Sequence, residues 1–212
     1  MMHIDICGED MMLLPGRALH WPAQKTIIVS DLHWGKTAHF RKHGIAIPIG
    51  AQQADEVRLS KLVQGYGVER LIVAGDFFHS VANKQVDGFT HWRQQHKELH
   101  LDLVLGNHDI LPHEKYSENN IALHPEIMDM GPFIISHDKL AEPGKFHIHG
   151  HLHPCFTAGG RGRMSVRTQC FCIDDNRMVL PSFGSFTGCH NISAADYSQI
   201  YLIANDEVIR WQ

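Results

Sequence analysis

The chain has 212 residues, 43% of them hydrophobic, and carries 19 basic against 23 acidic side chains for a formal net charge of -4. That length and apolar fraction suit one domain with its own core, and exclude a peptide or a disordered tail. So small an acidic excess, which cations in a metal site would partly offset, neither demands nor excludes a nucleic-acid partner.

In chain order, brief apolar pieces at 11–14 and 18–21, separated by Gly8 and Pro15-Gly16, predict short antiparallel strands at a sheet edge. Ile27-Ile28-Val29-Ser30 reads as a buried strand, followed by helices over 34–42 and 51–64. In the second helix Ala54, Val57, Lys61 and Leu62 fall on one face, and Gly65 and Gly67 end it. A strand at 71–74 completes a parallel βαβ unit. Val86, Phe89, Trp92, Arg93 and His96 recur at helical spacing and predict a helix over about 85–100, with Trp92 in the core, before a strand at 101–105. From Ile121 the character changes to short apolar runs at 121–123, 127–130, 133–136, 146–149, 169–173, 178–180, 200–204 and 208–211, separated by Gly, Pro, Asn and Asp. That is a second, mostly β half. Neither repeats nor a Ser- or Pro-rich linker divides the chain, so 1–212 is read as a single domain sharing one core.

The five cysteines, Cys7, Cys155, Cys170, Cys172 and Cys189, are odd in number and irregularly spaced. They predict reduced thiols in a cytoplasmic protein. Cys170 and Cys172 lack a second pair at zinc-ribbon spacing and are read as structural neighbours on one strand face. Asp5, Glu9 and Asp10 break any amino-terminal apolar stretch that would serve as a secretory signal, and no apolar run approaches the roughly 20 residues of a membrane helix.

Chemistry gathers where the strands stop. The predicted strands run into Asp31-Leu32-His33, Gly75-Asp76, Gly106-Asn107-His108-Asp109, His137 and Gly150-His151-Leu152-His153. In α/β sheets, ligands collect beyond the carboxyl ends of the strands. A single Asp-x-His or Gly-Asp at such a place is ordinarily a turn or cap; the five together supply enough nitrogen and oxygen donors for two metal ions, which can clamp both oxygens of a phosphoryl displacement. Mixed imidazole and oxygen ligands suit Mn²⁺, Fe or Zn²⁺ better than Ca²⁺. Of the 18 histidines, His79, His147 and His149 are secondary candidates near the site, with packing the expected role of the last two. His39, His43, His91, His96, His100, His113 and His124 are assigned to the surface.

This ordered set resembles the calcineurin-like metallophosphoesterase superfamily. The resemblance implies a four-layer α/β/β/α sandwich, two packed sheets with helices outside. It makes Asp31, His33 and His153 ligands of one metal, Asn107, His137 and His151 ligands of the other, and Asp76 the bridge. It favours Mn²⁺, with Fe, Zn²⁺ or Mg²⁺ as alternatives, and implies attack on phosphorus by a hydroxide held between the ions. His108, free of metal, then protonates the departing alkoxide, and Asp109 fixes the His108 tautomer.

Further stretches, Ser30-Asp31-Leu32-His33-Trp34-Gly35-Lys36, Phe40 through Pro48, Gly75-Asp76-Phe77-Phe78-His79-Ser80, Gly150-His151-Leu152-His153-Pro154 and Leu180 through Gly188, look like the ligase-associated DNA-damage-response endonuclease group, PdeM. That likeness implies a DNA phosphodiesterase in repair, associated with a DNA ligase, a helicase-like protein and an exonuclease-like protein. Lys36, Arg41 and Lys42 after the first motif, and Arg161, Arg163 and Arg167 after the last, are candidate phosphate contacts. Trp34 is a candidate base-stacking platform and His79 a further substrate contact. The segment 180–188 has no titratable side chain and is expected to brace the site floor. Two alternatives stand beside this reading: a phosphatase or cyclic phosphodiesterase for a small nucleotide-like substrate, and a non-catalytic scaffold on the same fold.

Overall fold

The computed structural model describes residues 1–36, 51–78, 84–141, 144–159 and 165–212. The first sheet runs in sequence order through β1 (Met2–Ile6), β2 (Glu9–Leu14), β3 (Ala18–Trp21), β4 (Thr26–Val29), β5 (Arg70–Ala74), β6 (His100–Val104) and β7 (Ile121–His124). Strands β1 to β4 form an antiparallel meander, and β4 to β7 are parallel. The helices α1 (Ala51–Gly65) and α2 (Lys84–Gln95) lie in the connections between the parallel strands, as a parallel pairing requires.

The second sheet is built from β8 (Ile127–Met130), β9 (Phe133–Ser136), β10 (Phe146–His149), β11 (Pro154–Gly159), β12 (Ser165–Asp174), β13 (Arg177–Val179) and β14 (His190–Asn191), in the order β14-β11-β12-β13-β10-β9-β8. β15 (Gln199–Ala204) pairs with β12, and β16 (Glu207–Arg210) with β15.

The two-residue alternation of strands assigns side chains to two cores. Ile28, Ile72, Ala74 and Val104 of the first sheet meet Phe133, Ile135, Ile148, Phe171 and Met178 of the second. Ile27, Val29, Leu71, Val73 and Leu103 turn the other way, onto Leu59, Leu62, Val63, Phe89 and Trp92. Strands buried on both faces read as unbroken apolar runs, which is why β4 and β5 are plain in the sequence.

Several expectations are corrected. The buried stripe of α1 is Leu59, Leu62 and Val63, with Tyr66 beyond the helix end, while Ala54, Val57 and Lys61 are exposed; the i, i+3, i+4, i+7 spacing of the larger residues outweighs that of Ala and Val. Helix α2 stops at Gln95 because the Arg93 guanidinium donates to the carbonyls of His96 and Asn119, fixing the chain as it turns into β6. Of the helix expected over 34–42, only Lys36 is described as helical. β1, β11, β14 and the short α3 (His113–Glu118) are additions to the expected elements. His96 packs on Trp92 with ring centroids 4.5 Å apart, and His124 reaches the buried Asp102 at 2.8 Å, so neither is a plain surface residue.

The outer face of the second sheet is covered, among the described residues, by Ile192, Ala194 and Tyr197, in and around the 3-10 turn Ala194–Asp196, rather than by an α-helix. Cys170 and Cys172 lie there with sulfurs 3.5 Å apart, both fully buried. Cys155 and Cys189 form a disulfide, contrary to the expectation of reduced thiols throughout. Parallel pairing of β11 with β14 brings their Cα atoms to 5.7 Å, within bridging range; chain spacing gives no hint of it. No described helix is long and apolar enough to cross a membrane.

Phe89 is fully buried between Trp34, Phe77, Phe78 and Trp92. Phe89→Ala is expected to cost about 3–5 kcal/mol of unfolding free energy in urea titrations.

Candidate metal centre

The carboxyl ends of β4, β5, β9 and β10 converge on one point. The chain leaving β4 is laid against that leaving β5: Asp31 N–H donates to the Gly75 carbonyl, His33 N–H to that of Asp76, and Trp34 N–H to that of Phe77. Asp31 (φ 53), His33 (φ 47), Asp76 (φ 52), His151 (φ 64) and His153 (φ 49) all occupy the left-handed region. Such backbones cost about 1–3 kcal/mol each and persist only where the surroundings over-determine them. Five of them among the expected ligands mark strain concentrated at the site.

The glycines before these ligands permit the close approach. A Cβ on Gly75 would fall 2.1 Å from His137 Nδ1, one on Gly106 2.4 Å from Asp76 Oδ1, and one on Gly150 2.7 Å from Asp31 Oδ2. Each Gly in the Gly-Asp, Gly-Asn and Gly-His pairs is therefore space for a ligand from another strand.

Asp31 and Asp76 are almost wholly buried. Asp31 Oδ1 lies 3.0 Å from His153 Nε2, and Asp76 Oδ2 lies 3.7 Å from His33 Nε2. On the other side, His137 Nε2 is 3.5 Å from Asp76 Oδ1, 3.1 Å from Asn107 Oδ1 and 2.9 Å from His151 Nδ1. His137 Nδ1–H donates to the Ala74 carbonyl at 3.2 Å, which leaves Nε2 as a lone pair pointing at further lone pairs. Anchoring one imidazole nitrogen on a carbonyl is the habit of a metal-ligating histidine. The donor set thus fits a divalent cation, and the clusters Asp31–His33–His153 and Asp31–Asp76–His137 each hold their ligand atoms within 4.8 Å of one another.

Asp138 is an addition that sequence reasoning missed. Its carboxylate stands 3.4 Å from His151 Nδ1 and forms a third cluster with His137 and His151; its position next to His137 is the only signal.

His108 sits at the mouth, half-buried, its ring 5.3 Å from that of His33 and its backbone N–H bonded to Asp76 Oδ1 at 2.9 Å. Asp109 departs from its expected part. Its carboxylate accepts the N–H groups of Phe77, Phe78 and Gly106 at 3.0, 3.1 and 2.9 Å, so it ties the β5 and β6 loops together instead of orienting His108. Burial raises its pKa to about 6, against those hydrogen bonds.

Trp34 does not offer a stacking face. It is 6% exposed and enclosed by Phe77, Phe89 and Trp92; an indole at the start of the loop is worth more in the aromatic core than in water. Lys36 lies within the field of Asp76 and Asp31, though burial lowers its pKa more than they raise it. Arg167 donates to the Cys189 carbonyl at 2.5 Å. Arg41, Lys42, His79, Arg161 and Arg163 lie outside the described residues.

The segment 180–188 does brace the floor: Phe183 and Gly184 N–H groups bond the carbonyls of Ser30 and Asp31 at 2.8 and 3.1 Å. Arg17 and Arg58 cap the Phe183 carbonyl from behind, and Asp55 holds Ser185. Desolvation first, then repulsion from Arg58, brings Arg17 down to about 10. Nothing in the spacing of Arg17, Asp55 and Arg58 points to this support.

His147 and His149 pack, as expected, stacked at 4.8 Å and buried. Burial pushes His147 down to about 4 and His149 to about 3, helped by nearby positive charge.

No protein-family model matches the chain, and no curated protein does. Among solved structures, the nuclease MPE of Pseudomonas putida superposes with a TM-score of 0.85 at 32% identity, covering 99% of this chain and 98% of that one. AQ665 of Aquifex aeolicus, a protein of unknown function, is 20% identical over 65% of this chain and 82% of its own, with a TM-score of 0.43. The phosphoesterase YfcE of E. coli is 14% identical over 87% and 96%, with a TM-score of 0.44. The full-length likeness at 32% identity, on a fold of two packed sheets with this ligand cluster at the strand ends, defines a metallophosphoesterase. The chain belongs to the calcineurin-like metallophosphoesterase family.

Gly75→Ala should displace His137 and lower metal content by at least about tenfold in equilibrium dialysis, with loss of a ligand contact the physical cause. A depressed histidine pKa stabilises the fold above the unfolded value near 6.5, and that stability is lost as pH falls toward about 4. The thermal midpoint of the wild type should therefore drop over that window, and drop less steeply in His147→Gln.

Proposed function

We propose that the chain is a phosphoesterase dependent on two divalent metal ions, and specifically a phosphodiesterase that cuts DNA as an endonuclease. The observation that carries this is the buried convergence of lone pairs on either side of Asp76, one carboxylate oxygen toward His33 and the other toward His137. Asp31, His33 and His153 would hold one ion, Asn107, His137 and His151 the second, with Asp76 shared between them. Mn²⁺ suits this set, and Fe, Zn²⁺ or Mg²⁺ are alternatives. When bound, such ions neutralise phosphate oxygens and acidify water.

The rest falls to the side chains. Strain and close packing hold Asp31, Asp76 and the imidazoles in place before substrate arrives, so little reorganisation is needed. His108, at the mouth and outside the proposed ligand set, would give its proton to the departing sugar oxygen. Lys36, close to both buried carboxylates, would meet a phosphate oxygen. The nucleic-acid reading is supported by the likeness to the P. putida protein, a nuclease. A role in cytoplasmic DNA repair beside a DNA ligase, a helicase-like protein and an exonuclease-like protein belongs to the same proposal through the PdeM likeness.

Turnover of bis-(p-nitrophenyl) phosphate and nicking of circular single-stranded DNA, both Mn²⁺-dependent, are the expected results. Diester turnover without nicking would leave a small-molecule enzyme, and neither activity with metal bound would leave a scaffold. His108→Ala should slow DNA cleavage by about 10²–10⁴-fold, the usual worth of a general acid. Its metal content should be unchanged, and bis-(p-nitrophenyl) phosphate should suffer less because p-nitrophenolate departs without a proton.

A further inference from the structure

The neighbouring parallel strands β9 and β10 run out into His137-Asp138 and Gly150-His151. Gly150 N–H donates to the His137 carbonyl at 3.2 Å, so the two tips lie side by side. The proposed ligand set takes His137 and His151 from them and gives Asp138 no part. Its carboxylate is nevertheless aimed at both: Asp138 Oδ1 stands 3.4 Å from His151 Nδ1, and the ligand atoms of His137, Asp138 and His151 lie within 4.8 Å of one another.

The spacing is that of donors around one ion. Atoms bonded to a cation at roughly 2.1 Å stand about 3.0 Å apart at a right angle and about 3.4 Å apart at the tetrahedral angle. From His137 Nε2 the distances are 2.9 Å to His151 Nδ1, 3.1 Å to Asn107 Oδ1 and 3.5 Å to Asp76 Oδ1. The 3.4 Å between His151 Nδ1 and Asp138 Oδ1 falls in the same range. Although the Asp138 side chain is exposed, the turn that carries it is fastened from inside. Ser136 Oγ–H donates to the Asp138 carbonyl at 2.5 Å, which spends its one hydroxyl proton, so the 2.6 Å contact with His147 is a donation from His147 Nε2–H. Ser136 and His147 are each 1% exposed. A carboxylate presented by a turn held in this way loses less freedom on binding an ion than one on a free loop. We infer that Asp138 is an additional oxygen ligand of the second ion, beside Asn107, His137 and His151. The inference rests on the metal centre proposed above and deepens it, since a further carboxylate oxygen is a donor of the kind that suits Mn²⁺ and Mg²⁺.

The test is calorimetric titration of the metal-free, full-length chain with Mn²⁺, in the wild type, Asp138→Asn and Asp138→Ala. The wild type should take up two ions. Each variant should bind one of them about tenfold or more weakly and the other as before, the usual cost of losing a group that holds a metal or its ligands. The thermal midpoint of the metal-free variants should match that of the metal-free wild type, because an exposed ion pair contributes little to the fold. Weaker binding of one ion at an unchanged midpoint therefore reports lost coordination. Weakening of both ions alike, or weakening accompanied by a lowered metal-free midpoint, overturns the assignment. Two ions bound with wild-type affinity in Asp138→Ala overturn it as well, and leave the metal centre standing. A wild type that takes up fewer than two ions overturns the metal centre itself, and this ligand with it.

Discussion

Two buried carboxylates face imidazole nitrogens, and the arrangement is electrostatically complete only with positive charge between them. His137 is the clearest instance: one nitrogen donates to the Ala74 carbonyl, and the other looks onto Asn107 Oδ1, Asp76 Oδ1 and His151 Nδ1. Unpaired charge in a protein interior costs several kcal/mol. The sheets, the glycines and the strained turns are arranged around meeting that cost with a cation.

The fold delivers this arrangement through its two sheets. Parallel β4, β5 and β6 end side by side in one sheet, and parallel β9 and β10 end side by side in the other. Their shared core keeps the ends in register, so candidate ligands separated by more than a hundred residues, such as Asp31 and His153, come within 3.0 Å. Asp109 and the 180–188 segment then fasten the loops from behind, by hydrogen bonds to backbone rather than to the candidate ligand side chains. A carboxylate used in this way holds the loops that carry the candidate ligands.

Much of this is legible because strand ends carry their own punctuation. Ile27-Ile28-Val29-Ser30 into Asp31, or Gly75 before Asp76, announces both a buried strand and the candidate ligand at its tip. The features hidden from the sequence depend on neighbours distant in the chain. Trp34 reads as a candidate stacking platform until Phe77, Phe89 and Trp92 enclose it. Asp109 adjoins His108 in sequence, yet its carboxylate turns to the backbone of Phe77 and Phe78. The Arg17–Arg58 support and the Cys155–Cys189 bond likewise join segments with no common motif. The exposed strip of α1 is deceptive because Ala and Val at helical spacing resemble a buried face, whereas volume decides which face packs, and Leu59, Leu62 and Val63 carry more of it.

The most direct measurement of the central claim is an anomalous-scattering map from crystals grown with Mn²⁺. The account predicts two peaks, one on each side of Asp76, the first within reach of Asp31, His33 and His153 and the second within reach of Asn107, His137 and His151. A map with no peak at this cluster, or with manganese bound only elsewhere on the chain, would contradict it.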